Sequence, residues 1–256
     1  MFRAFNLSAL TFPPPNSYFS TGLKLFQDST TAVRKGLEAF LIGGKLDGTK
    51  MGTHWFPAIH ANVFISHSHK DEEMAINTAG YLSEKFGLTA FIDSCVWGNS
   101  ADLLRQIDDK YCLFSDKKSY DYSRRNESTS HVHMMLATAL AKMIDRTECV
   151  FFLNTPNSIT AEEAVERTFS PWIFNELAMI SLIRRRTPEA HRPTKKEASF
   201  AAKERMDESL LIQYEADFSA LDQISHITLN KWDRIYEGWG EALDFLYKLV
   251  PQQSVI

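Results

Sequence analysis

A doubly wound α/β fold with a parallel five-stranded sheet is the architecture this sequence predicts. Three observations lead to it: short apolar runs of strand length, amphipathic helical patterns between them, and polar residues immediately after each run. The first strand is expected at 62–66 (NVFIS). A helix at 72–86 follows, with Ala75, Thr78, Ala79, Leu82 and Phe86 on one face and Gly87 as its stop. The second strand is expected at 88–93 (LTAFID) and the third at 148–154 (ECVFFLN). Between them Val132, Met135, Leu136, Ala139, Leu140, Met143 and Ile144 recur at the helical period, so this helix should pack on the sheet. Ser170 and Pro171 form an N-cap and first-turn pair that opens another helix. A fourth strand is expected at 209–215 (SLLIQYE), a fifth at 226–230 (HITLN) and a closing helix at 241–250.

The chain has 256 residues, more than the ~150 of a typical domain. The surplus is expected in two places. Residues 1–57 read as a partly helical N-terminal extension and linker: prolines at 13–15, a helical pattern at 30–42, a stop at Gly43 and Gly44, and the linker KLDGTKMGTHWFP. Residues 58–256 read as the α/β domain, with an insertion around 110–130. The extension is expected to govern assembly or activation.

A hydrophobic share of 44% and a charged share of 23% describe a globular protein. The net charge of −4 supplies no chain-wide basic field, so neither a nucleic-acid nor a membrane partner is expected. No apolar run approaches the ~18 residues of a membrane span, and the first residues lack signal-peptide form. Three cysteines without a C-x-x-C spell neither a disulfide framework nor a four-thiolate zinc site, and a cytoplasmic location is expected.

Sheets of this class bind ligands beyond the carboxyl ends of their strands. Ser66, His67, His69 and Asp71 follow the first strand, Asp93 and Trp97 the second, and Asn154-Thr155-Pro156 the third. Glu176 carries the most weight: three residues after Ile173, it lies on the stripe that Leu177 and Ile180 continue. A carboxylate there needs a partner, a pocket or a raised pKa, unless it reaches water or an arginine at the stripe's edge. Trp172, one turn earlier, is a site wall or a core anchor. Asp93 is a ligand for ribose hydroxyls or a loop cap. Ser66 and His67 offer donors to a phosphate or amide, or serve ordinary turn chemistry.

His67, His69 and Asp71 also spell most of the H-x-H-x-D-H motif of metallo-β-lactamases, with Glu72 in the last position. A zinc metallohydrolase is therefore the remote alternative. His131 and His133 lie two apart on a helix and point away from each other. Single histidines such as His60 and His191 read as structural or exposed. The stretch 43–50 (GGKLDGTK) reverses the Lys and Thr of a P-loop and reads as linker. Arg184, Arg185, Arg186, Arg192, Lys195 and Lys196 form a basic run that suits a helix C-terminus, with a phosphate or polymer contact as its functional alternative.

The segment 63–71 (VFISHSHKD) resembles the first box of Toll/interleukin-1 receptor (TIR) domains, usually F-I-S-Y-S followed by Asp. SPWIFNEL resembles the family's S-x-W-x-x-x-E-L helix, and the element order between Ala61 and Val250 is similar to the family's flavodoxin-like domain. His67 stands where the family has an aromatic residue. The loop after the second strand lacks the Pro-Gly of receptor-type members, which argues against a receptor-adaptor role. The 91–97 segment, with Asp93 and Trp97, is similar to bacterial TIR proteins of antiphage systems such as Thoeris.

The resemblance implies an enzyme that cleaves NAD, with Glu176 catalytic and Trp172, Ser66, His67, Asp93 and Trp97 around the substrate. It further implies NAD as substrate with no separate cofactor or metal. Self-association through the domain and a downstream effector sensing the nucleotide product in antiviral defence are also implied. A non-catalytic scaffold acting by TIR–TIR assembly is the alternative from another class.

Overall fold

A parallel sheet needs apolar strand surface buried on both faces, and the runs VFIS and CVFFLN supply it at the centre: Val63, Ile65 and all five of 149–153 are fully buried. The computed structural model describes residues 1–8, 17–27, 36–97, 100–116, 118–162, 165–192 and 214–252. In chain order these form β1 (Arg3–Ser8), α1 (Phe19–Gln27), the hairpin β2 (Leu41–Ile42) and β3 (Lys45–Leu46), α2 (Gly48–Trp55) and β4 (Val63–Ser66). Then come α3 (Glu72–Phe86), β5 (Ala90–Phe91), α4 (Asp93–Val96), α5 (Ser100–Tyr111), α6 (Tyr122–Arg146) and β6 (Cys149–Asn154). The chain continues through β7 (Thr160–Glu162), β8 (Val165–Thr168), α7 (Pro171–Leu182), β9 (Tyr214–Glu215), β10 (Asp222–Ser225), α8 (His226–Ile235) and α9 (Ala242–Leu249).

The main sheet runs β10-β1-β6-β4-β5 and every pairing in it is parallel. The expected doubly wound α/β class therefore holds, and the order is compatible with a flavodoxin-like fold. One strand comes from an unexpected place. β1 belongs to the segment read as an extension, yet it lies inside the sheet, with Phe5 opposite Phe151 on one side and Asp222 on the other. Its pairing partners are remote in sequence, so local pattern alone gave no reason to seat it there. Arg3, 2% exposed, donates from Nε to Asp222 at 3.0 Å and lies over the Phe5 ring, which fixes β1 against β10.

Other expectations need correction. HITLN is not a strand: Ser225 and Thr228 form a reciprocal capping box, and Leu229 and Trp232 bury one face of α8. The sheet strand there is β10, just upstream. Of 209–215, residues 209–213 lie outside the described residues, and β9 pairs antiparallel with β8 in a separate three-stranded sheet. The linker around 48–55 is helix α2, because Asp47 caps it by accepting from the Lys50 amide and Met51 and Trp55 bury one face. Residues 30–35 of the helix expected at 30–42 lie outside the described residues; Leu37–Phe40 form a 3₁₀ turn and 41–42 belong to the hairpin. The insertion around 110–130 is largely helix, since α6 begins at Tyr122 under an Asp121 cap.

The helices seat as their patterns require. α3 spans the expected residues and ends at Gly87, whose φ of 63° only glycine adopts freely. It meets α1 backbone to backbone. A Cβ on Gly22 would stand 1.9 Å from the Ile76 carbonyl oxygen, and one on Gly80 would stand 2.1 Å from that of Tyr18. α6 buries Val132, Leu136, Ala139, Leu140, Met143 and Ile144. Among the described residues, no helix is long and apolar enough to cross a membrane.

Candidate active site

Three segments meet at the carboxyl edge of the sheet: the residues after β4, those after β5, and α7. Ser170 caps α7 by accepting from the Ile173 amide at 3.3 Å, and Pro171 occupies the first turn. With its start fixed, α7 turns Ile173, Glu176, Leu177 and Ile180 inward, and Glu176 is 4% exposed. Ser66, the last residue of β4, donates its hydroxyl to Glu176 Oε2 at 2.5 Å. Burial first, and then the neighbouring Asp93 carboxylate, push the Glu176 carboxyl up to about 8, with the Ser66 bond pulling the other way. Near neutral pH its protonated form is therefore favoured.

His67 follows Ser66 and is 8% exposed, and neither ring nitrogen has a hydrogen-bond partner among the described residues. Its burial favours the neutral ring, and Asp93 opposes that. Ser94 likewise has a buried hydroxyl without a partner. Buried polar atoms are normally satisfied, so these groups beside two carboxylates are unspent hydrogen-bonding capacity. Asp93 itself is half-buried at the start of α4.

The other expected residues divide. Trp172 is half-buried on α7 and meets the His133 ring edge-on at 5.3 Å between centroids. Trp97 is 1% exposed, packed against Phe56 and Phe91, and donates its indole N–H to the Pro57 carbonyl at 2.8 Å. It is a core residue and is removed from the substrate set. Of the zinc alternative, the His67 and His69 rings stand 6.3 Å apart. Asp71 turns to Thr155 Oγ1 at 2.5 Å and Asn157 Nδ2 at 2.7 Å. Among the described residues, no three His, Cys, Asp or Glu side chains are grouped to hold a metal ion.

The Asp71 contacts add residues that sequence reasoning passed over. Asn157 donates to Asp71, and Ser158 donates to the Leu153 carbonyl while accepting from the Thr155 amide. This network ties the segment after β6 to the 3₁₀ turn at His69–Asp71 that follows β4. The available signal was position, since these residues directly follow the third predicted strand. Two surface cavities, one beside Arg146 and one beside Cys112, are not lined by Glu176. All three cysteines are buried and none of them is in a disulfide.

The fold and site thus define a doubly wound α/β protein with a desolvated carboxyl at the strand-end edge. No protein-family model, curated protein or solved structure matches the chain.

Proposed function

We propose that the chain cleaves the bond between nicotinamide and ribose in NAD, with Glu176 as its catalytic carboxylate. The observation that carries this reading is the Glu176 carboxyl, buried, held by Ser66 and neighboured by Asp93 at the edge where such sheets bind ligands. The resemblance of the 63–71 and SPWIFNEL segments to TIR boxes supplies the substrate class. Nicotinamide in NAD is a cationic leaving group, so breaking its glycosidic bond returns the electron pair to the ring nitrogen without a general acid. Positive charge then builds on the ribose. An ionised carboxylate in a dry site stabilises that charge as the carboxylates of glycosidases do. Ser66 orients Glu176, Asp93 and His67 offer groups for the ribose or amide, and Trp172 forms a wall. Attack at the anomeric carbon by water gives ADP-ribose, and attack by another hydroxyl gives a cyclic or conjugated product, which in this reading signals to an effector in antiviral defence.

The scaffold reading draws on one observation of its own. Phe174 and Leu182 are 41% and 83% exposed and share the outer face of α7 with Ala178, a stripe suited to self-association. One experiment separates the two: incubate the protein with NAD, alone and at concentrations that favour assembly, and follow nicotinamide release. The enzyme reading expects turnover that Glu176→Gln lowers by about 10²-fold or more. Release from wild type that never exceeds that of Glu176→Gln overturns it, and unchanged assembly of the variant then favours the scaffold.

A further inference from the structure

His67 stands in the Glu176 corner with its hydrogen-bonding capacity unused. It directly follows Ser66, whose hydroxyl holds Glu176, and both of its ring nitrogens are buried without a partner among the described residues. Buried polar atoms are normally paired, and an imidazole left unpaired is costly to keep. The aromatic residue of the TIR box would fill this position without a bare nitrogen. The Ile65 carbonyl favours a proton on the ring but makes no hydrogen bond of ordinary geometry with it. A carbonyl can only accept, so the nitrogen turned towards it carries the proton and the other keeps a free lone pair.

The charges around the ring suit a group that accepts a proton. Burial keeps His67 neutral, and the His69 ring, 6.3 Å away, works in the same direction. The Asp93 and Glu72 carboxylates oppose them and favour the imidazolium. Asp93 acts on Glu176 as well, so the three groups form one electrostatic cluster. In the proposed reaction nicotinamide leaves without an acid, but the oxygen that replaces it must lose a proton. Glu176 is committed elsewhere: it accepts from Ser66 and has to stay ionised against the ribosyl cation.

We propose that His67 is the general base that deprotonates the attacking hydroxyl, an inference that rests on the NAD reading. Nicotinamide departs with the electron pair of its bond to the ribose. The oxygen of water, or of a second hydroxyl, then forms a bond to the anomeric carbon, its O–H bond breaks, and the proton passes to the free lone pair of His67. Asp93 stabilises the imidazolium until it returns the proton to solvent.

Isotopically labelled nicotinamide tests this, because its ring nitrogen attacks the ribosyl cation with no proton to lose. His67→Gln keeps a hydrogen-bonding group and His67→Phe keeps a ring, and neither variant can take up the proton. Each should slow formation of ADP-ribose and of any cyclic product by about 10²-fold or more. Incorporation of the label into NAD should stay at or above the wild-type rate, which also reports that the variant is folded and binds substrate. Undiminished product formation in either variant, or exchange that is absent or falls in proportion in both, overturns the role of His67 and leaves Glu176 standing. A wild-type protein that neither releases nicotinamide nor exchanges it overturns the NAD reading, and this inference with it.

Discussion

The Ser66 hydroxyl and the Glu176 carboxyl meet at 2.5 Å across 110 residues of sequence. One ends the central strand β4 and the other faces inward from the second turn of α7, so the contact exists only once sheet and helix have docked. It is also the one interaction that draws the Glu176 pKa down against burial and Asp93.

Opposite shifts of the pH–rate profile follow for two variants. Activity requires ionised Glu176, so kcat/KM for NAD should rise with pH through the carboxyl's pKa near 8. Ser66→Ala removes the lowering influence and should move that rise to higher pH. Asp93→Asn removes a raising influence and should move it lower. Profiles that coincide with wild type would remove the electrostatic role given to both residues.

Stability should carry the same signature. Glu176 is raised in the folded state from its ordinary 4.5 to about 8, so folding favours its protonated form. That contribution is complete below pH 4.5 and is lost as pH climbs through 8. Glu176→Gln keeps a neutral side chain that can still accept from Ser66. Urea unfolding should therefore show wild type losing stability relative to the variant between pH 5 and 8.5, by on the order of a few kcal/mol. A difference that does not change with pH would contradict the buried, protonated carboxyl.

Gly80→Ala should destabilise the protein although alanine is the better helix former by ~1 kcal/mol. The added Cβ would meet the Tyr18 carbonyl at 2.1 Å, and both helices must move apart to admit it. A fall of roughly 2 kcal/mol or more in unfolding free energy is expected from overpacking. Gly238→Ala would cost less, because a Cβ there meets nothing within 4 Å and only its φ of 82° is strained. Denaturant midpoints of the two variants make the comparison.

Asp222→Ala should be among the most damaging single changes outside the core. It strips Arg3, 2% exposed, of its carboxylate partner inside the sheet, and an uncompensated buried cation costs about 3–5 kcal/mol. Truncation before Pro57 should abolish cooperative unfolding altogether, since it deletes an interior strand. Residues 1–57, expected as an extension and linker, thus contribute a strand of the main sheet. Circular dichroism of the truncated chain, compared with wild type, checks it.

Where element identity is set locally, the sequence was readable. Glu72 to Gly87, Ser170 with Pro171, and the long apolar stripe of α6 all carry their own caps or periods, and the structure has helices there. Of the site, Ser66, His67, Asp93 and Glu176 come together as strand-end positions should. Trp97 does not, because its indole is consumed by the Pro57 carbonyl, a contact no local pattern announces. HITLN failed for a related reason: β-branched Ile227 and Thr228 suggest a strand, but Thr228 is the second half of a capping box. Arg3 and Asn6 interrupt the apolar run of β1, and its partners at 149–154 and 222–225 explain its seat.

That seat has a consequence for how the molecule is made. During synthesis β1 emerges first, but β6, its earlier neighbour, follows about 145 residues later and β10 more than 200 residues later. Once β6 has emerged, β1, β6, β4 and β5 can pair, but until Ser225 has left the ribosome the flank of β1 that β10 will cover stays open. Contacts this distant in sequence slow folding and leave strand edges available to other chains. Nascent protein should therefore depend on chaperone protection late in translation, and its yield should respond to temperature and expression rate more than its folded stability suggests.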